Sequence, residues 1–230
     1  MVHSRRTAAP PAELAKHGKR WAARFQANRE GEWATLKAKK VLSAALRSLA
    51  HGKCVYCESA LEVTAYLAIE HYVAKTIAPE LAFEWINLLP ACQMCNTAKG
   101  EQDHKNALLK ADAEDPEPYF WIHPDTGKLE PHPKLDNKRA HRANETIRLC
   151  NLQRAALCSK RVEMLERVGR WLELASGGKH LATLRAEWES LTNPGAEYKF
   201  VLRHMLEIRG QHELAEIDRA RFVAIHTSTL

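Results

Sequence analysis

The 230-residue chain contains no apolar run near the roughly 20 residues that a helix needs to cross a bilayer. Its N-terminus, Met1-Val2-His3-Ser4-Arg5-Arg6, is not followed by the apolar core of a secretory signal. These absences predict a cytoplasmic chain with no membrane partner, in a compartment that keeps thiols reduced. There is no internal repeat and no low-complexity tract, which excludes solenoid and compositionally disordered classes. Acidic residues are scarce at one end. Residues 1–53 hold three Asp/Glu against twelve Lys/Arg, a charge of +9, whereas the remainder carries −3 and the whole chain +6. A basic lobe of this kind suits a polyanionic partner, nucleic acid first among them.

An apolar content of 45% is enough for a buried core. Six cysteines are present, and four fall in two Cys-x-x-Cys pairs, Cys54/Cys57 and Cys92/Cys95, with 34 residues between the pairs. A knuckle of this spacing holds two thiolates on a tight turn, and two knuckles complete a tetrahedral sulfur cage suited to Zn²⁺. Four thiolates fill the coordination shell, so this metal is expected to be structural. Cys150 and Cys158 lie in helical sequence without that spacing and read as small buried hydrophobes.

Between the pairs stands Glu70-His71, and Asn96 follows the last cysteine directly. A neutral imidazole can take a proton from water near neutral pH. A carboxylate and an amide oxygen are donors for a hard cation such as Mg²⁺ or Mn²⁺. His71 is therefore a candidate base, and Glu70 and Asn96 are candidate cation ligands. Lys75, Lys99 and the cluster Lys37, Lys39 and Lys40 are candidates for phosphate contacts, which position a backbone without reading its sequence.

Periodicity predicts a helix over residues 11–28 with Leu14, Trp21, Ala22 and Phe25 inward. A second is predicted over 32–49, with Trp33, Leu36, Ala45 and Leu49 inward and Gly52 as its stop. Residues 54–73 read as an irregular β-hairpin returning through 65–69, and residues 76–91 as a long connection between Pro79 and Pro90. A helix from Asn96 toward Leu109, interruptible at Gly100, completes a β–β–α unit. Residues 119–122 and 128–130 flank the turn sequence Pro124-Asp125-Thr126-Gly127 and predict a short hairpin. The rest is helical: 137–149, a segment from about 151 to 176, 181–191, and one from about Tyr198. The expected divisions are a basic helical region at 1–53, a core at 54–110, a linker and hairpin at 111–136, and a helical region at 137–230.

The pattern Cys-x-x-Cys, Glu-His, Asn, Cys-x-x-Cys-Asn-x-x-Lys-Gly resembles the HNH (ββα-metal) nuclease family on a zinc-knuckle scaffold. Its three signature positions match His71, Asn87 and Asn96. The resemblance implies His71 as general base, Glu70 and Asn96 as ligands of a catalytic Mg²⁺ or Mn²⁺, and Asn87 as the brace of the loop that holds His71. Glu70 stands where many members have Asp. It also implies phosphodiester hydrolysis leaving 5′-phosphate and 3′-hydroxyl ends. Further likeness runs through Phe83-Glu84-Trp85-Ile86-Asn87-Leu88, Tyr119-Phe120 with Gly127-Lys128-Leu129-Glu130-Pro131, and Leu149-Cys150-Asn151-Leu152. These resemble the HNH component of Septu-type antiphage systems, also found with some retrons. That likeness implies an ABC-type ATPase as partner and DNA or tRNA as substrate. The expected fold is α+β and α-rich: a zinc-knuckled HNH core with helical N- and C-terminal extensions. The competing expectation is a non-catalytic, zinc-stapled subunit that binds nucleic acid or serves assembly.

Overall fold

In a computed structural model, residues 1, 4, 6, 9–28, 36–61, 63, 66–104, 107–177 and 181–227 are described. Trp33, Ala65 and the side chains of Leu36 and Lys37 lie outside the described residues. The chain begins with two amphipathic helices, α1 (Ala12–Asn28) and α2 (Leu36–Leu49). Helix α1 buries Leu14, Trp21 and Phe25, as their helical spacing demands. The inward face of α2 is Leu42, Leu46 and Leu49, with Ala45 at its edge, so the expected Ala45 and Leu49 both lie on it. Both helices pack on Ala82, Phe83, Trp85 and Leu88, which places them against the segment that carries the site.

The central hairpin differs from the expected one. Strand β1 (Leu67–His71) pairs antiparallel with β2 (Leu88–Cys92), in the register Leu67↔Cys92 through His71↔Leu88. Residues 54–61 form the knuckle, and an isolated bridge joins Lys53 to Ala60. Pro90 read as the end of a connection because proline cannot donate to a ladder. Here it faces the other way. Its carbonyl accepts from Val55 N at 3.0 Å, outside the β1 pairing, so its missing N–H removes no strand bond. All five residues of β2 are buried, which erased the alternation that would have marked a strand. Leu88 enters the core under α1 and α2, and Leu89 enters the opposite core, as alternate strand residues must.

Helix α3 (Gln93–Lys99) follows β2 without a linker and ends at Gly100, whose φ of +67° stops the helix. The helical extension expected toward Leu109 is absent from the described residues there. The second hairpin, β3 (Phe120–Ile122) with β4 (Leu129–Pro131), pairs Phe120 with Pro131. Gly127 closes its turn at φ +63°, and a Cβ there would lie 2.2 Å from the Cys158 carbonyl oxygen. Among the described residues, five helices follow: α4 (Asn137–Leu149), α5 (Ala155–Ser176), α6 (Leu181–Thr192), α7 (Lys199–Ile208) and α8 (His212–Thr227). Among the described residues no helix is long and apolar enough to cross a membrane. The protein is thus a helix-rich α+β fold with two small hairpins.

The C-terminal helices share one hydrophobic core with the knuckle. Polar bonds reinforce the join: Lys53 Nζ donates to the carbonyls of Pro194 (2.6 Å) and Ala196 (3.0 Å), and Phe200 N donates to Glu58 Oε2 at 3.2 Å. Burial pushes the Lys53 ammonium down to about 7. A buried charge network ties α7 to α8. Asp218, fully enclosed, accepts from Lys199 and from Arg203 Nε (2.7 Å), while Arg203 also pairs with Glu117. Removing one member strands the others in low dielectric. Asp218→Ala is expected to cost about 3–5 kcal/mol, read as a lowered urea midpoint; a midpoint within error of the parent would refute the network's role.

Candidate functional site

Two constellations sit on the β1–β2–α3 unit. The first is the cysteine cluster. Cys54 and Cys57 come from the knuckle before β1, Cys92 ends β2, and Cys95 lies in the first turn of α3. All four are buried, and their sulfurs lie within 4.8 Å of one another. The Cys57 and Cys92 sulfurs are 3.7 Å apart. Four Zn–S bonds of about 2.3 Å in a tetrahedron require S–S edges of about 3.8 Å, so the cluster fits zinc. Two N–H donors reach the sulfurs. Cys95 N donates to Cys92 Sγ at 3.4 Å, and Arg154 Nη1, from the turn before α5, reaches Cys95 Sγ at 3.6 Å. Ser59 Oγ lies 3.4 Å from Cys57 Sγ and 3.2 Å from the Tyr198 hydroxyl. Cys150 and Cys158 are buried, in the manner expected of small hydrophobes.

The second constellation lines a cleft of about 570 Å³ beside the hairpin, with Glu70, His71, Asn96, Lys75 and Lys39 in its walls. His71 ends β1. Its Nε2 lies 3.0 Å from the Ala82 carbonyl oxygen. A carbonyl only accepts, so Nε2 carries the proton and Nδ1 carries the lone pair. Burial pushes the imidazole down to about 4; Lys75 and Lys99 act in the same direction, and the Ala82 carbonyl opposes them. The ring is therefore neutral at physiological pH, the form a base needs.

Glu70 and His71 are neighbours on a strand, yet both line the cleft. β1 ends at His71, which frees the imidazole from strict alternation. The Glu70 carboxylate is buried and engaged: Oε1 lies 2.7 Å from Lys99 Nζ and 3.3 Å from the Tyr56 hydroxyl. Burial pushes it up to about 7, while the Lys99 ammonium and the Tyr56 hydrogen bond pull it down. The oxygen donors of Glu70 and Asn96 suit a hard cation, and any cation there shares the carboxylate with Lys99.

Lys99, expected at the surface as a phosphate contact, is placed differently. Its side chain is 1% exposed, and Nζ also donates to the His71 carbonyl at 2.8 Å. From α3, one turn beyond Asn96, it ties the end of β1 to the helix. It lines the cleft from between the Glu70 carboxylate and the end of β1. Lys75 is half-buried, its ammonium 5.7 Å from the centre of the Phe25 ring on α1. Lys39 is exposed and lines the cleft, whereas Lys40 is exposed outside it. His104 is buried and bonded to the Lys99 carbonyl at 3.1 Å.

Asn87, 4% exposed, spends its amide on the loop between the strands. Nδ2 donates to Val73 O (2.9 Å) and Leu81 O (3.1 Å), and Oδ1 accepts from Val73 N (2.8 Å). Its backbone carbonyl accepts from Tyr72 N at 2.9 Å. These bonds set the path of residues 72–82 and hence the position of the Ala82 carbonyl that orients His71. Asn87→Ala would leave several buried backbone groups unpaired, at about 1–3 kcal/mol each before relaxation. The expected result is a Tm lowered by several degrees; a Tm equal to that of the parent would show that the loop holds without this side chain.

Residues 54–102 match the HNH endonuclease family model. This segment is an HNH domain. The match spans the knuckle, both strands and α3, and leaves the flanking helices outside it. The chain is 35% identical over 106 residues to Septu protein PtuB of Bacillus thuringiensis, covering 46% of this chain and 39% of that protein. It is 29% identical over 149 residues to Septu protein PtuB of Bacillus mycoides (strain KBAB4), covering 52% of this chain and 49% of that protein. The chain thus spans about half or less of the length of these curated relatives. Within the HNH domain, sequence reasoning passed over Tyr56 and the pairing of Lys99 with Glu70. It also passed over Arg154, which reaches the cysteine cluster from outside the domain. Tyr56 stood inside the knuckle, Cys54-Val55-Tyr56-Cys57, and was the one legible signal among them.

Proposed function

We propose that the chain is a metal-dependent HNH nuclease that hydrolyses nucleic-acid phosphodiester bonds. The observation that carries this reading is a neutral, carbonyl-anchored imidazole sharing one cleft with a carboxylate and an amide oxygen. His71 acts as general base: Nδ1 takes a proton from the water that attacks phosphorus, the new O–P bond forms in line, the bond to the 3′-oxygen breaks, and that oxygen takes a proton from water to become the 3′-hydroxyl. Glu70 and Asn96 would hold Mg²⁺ or Mn²⁺, and Asn87 keeps the loop in place. When bound, the cation supplies charge stabilisation at the phosphoryl and leaving oxygens. Lys75, Lys39 and Lys40 meet phosphates, and Lys99 secures Glu70 and the end of β1. Zn²⁺ in the cysteine cluster is structural.

The similarity to the PtuB relatives supports a role as effector subunit of a Septu-type antiphage system. There it would act with an ABC-type ATPase, on DNA or tRNA. One observation favours a second reading. Lys99 already neutralises Glu70, as suits a non-catalytic, zinc-stapled binding or assembly subunit. The deciding experiment incubates the chain, with and without the ATPase, with duplex DNA and tRNA in Mg²⁺ and in Mn²⁺. Cleavage that EDTA stops supports the nuclease. Binding without cleavage under every condition supports the second reading.

A further inference from the structure

The matched HNH segment, residues 54–102, is a short part of the chain. The helices outside it offer surface for a long polymer. α1 buries Leu14, Trp21 and Phe25, and its opposite face carries Lys16, Lys19 and Arg20, all exposed. The spacing i, i+3, i+4 puts these three charges on one stripe. Glu13 is the only acidic residue in α1, and α2 has none. The two helices are joined to the cleft through side chains. Lys39 of α2 lines it beside His71. Phe25 of α1 lies under Lys75, another lining residue. Trp21 packs on Phe83, the neighbour of the residue whose carbonyl holds His71, with ring centres 5.6 Å apart. The basic helix is thus braced directly against the loop that orients the base.

Resting on the nuclease reading, we infer that the exposed Lys16–Lys19–Arg20 stripe of α1 is a phosphate-tracking arm that holds the substrate backbone beyond the cleft. The occupant is a nucleic-acid backbone, because a line of like charges with no interleaved acid complements a polyanion. Four residues of helix rise about 6 Å, against about 3.4 Å per phosphate along one strand's axis, so the stripe spans about two phosphate steps. Such contacts position without reading bases. The affinity they supply is therefore tolerant of sequence and steep in salt, and it comes from outside the HNH domain.

The test uses the full chain carrying His71→Ala, so that probes are not cut. Fluorescein-labelled 30-bp DNA and RNA duplexes are titrated between 50 and 200 mM KCl. Against that parent, Lys16→Gln/Lys19→Gln/Arg20→Gln is expected to weaken binding by about 10-fold or more. The slope of log K against log salt should fall by about 2–3, near 0.9 for each phosphate that the variant no longer neutralises. Unchanged circular dichroism and zinc content show that the fold is retained. Lys16→Arg/Lys19→Arg should keep both affinity and slope. An unchanged affinity and slope in the triple variant would overturn the arm. So would capture by the ATPase that depends on the stripe while duplex binding does not. If the wild-type chain cleaves nucleic acid in that case, the nuclease reading survives the loss of the arm. If wild type neither cleaves nor binds either duplex, both fall.

Discussion

His71→Ala is expected to reduce nucleic-acid cleavage by about 10²–10⁴-fold, the usual contribution of a positioned base. The imidazole is neutral because it is buried among cations. Its protonated nitrogen is occupied by the Ala82 carbonyl, which leaves a lone pair of fixed direction. Alanine removes that lone pair together with the bond to the Ala82 carbonyl. Lys99 would still pair with Glu70 and still donate to the backbone carbonyl of residue 71. Asn87 would still brace the loop through backbone partners. The substitution therefore separates chemistry from architecture. Purified variant protein should retain its zinc and its circular dichroism spectrum while the cleavage rate collapses. Cleavage at the parental rate would remove His71 from the mechanism and favour the non-catalytic reading.

Cys92→Ser should have the largest effect on the fold. Cys92 joins the end of β2 to the knuckle through the sulfur cluster, and its side chain also accepts the Cys95 N–H at the start of α3. A structural zinc site contributes about 10–16 kcal/mol to folding, as much as the whole stability of an ordinary domain at about 5–15 kcal/mol. The knuckle shares its core with α4, α5 and α7, so the loss cannot stay local. The expected outcome is a chain without stoichiometric zinc that no longer shows a cooperative thermal transition. Cys158→Ala, outside the cluster, should keep both. Metal analysis beside thermal melts decides the matter. A Cys92→Ser chain that melts within a few degrees of wild type would mean that packing, not metal, holds the unit together.

The two sites were unequally legible. Cysteine spacing is a local property, and two Cys-x-x-Cys pairs together match a zinc-ligand pattern, so the cluster could be read before any fold was known. Glu70, His71 and Asn96 were singled out as candidates because they fall between and beside those cysteines. The pairing of Lys99 was not legible, because a lysine near a nuclease motif reads as a phosphate contact or a surface charge. Only its carboxylate partner across the β1–α3 junction makes it an interior residue. The hairpin was mispaired for a related reason. A fully buried strand containing proline has neither alternation nor the usual composition, and its pairing depends on a segment 20 residues away.

What could be had from the residues alone is the chemistry that rests on short spacing: the sulfur cage, the candidate base and oxygen donors, the helical stripes and the uneven charge. What needed the folded chain is every relation between distant segments. Those relations include the pairing of β1 with β2, the clamp of Lys99 on Glu70, and the grip of Ala82 on His71. The seating of the basic helices against the loop that carries Ala82 belongs with them. Spacing along a chain limits which neighbours can share a metal or a helix face. Which remote groups meet is settled by how the cores pack and by the requirement that each buried polar group find a partner.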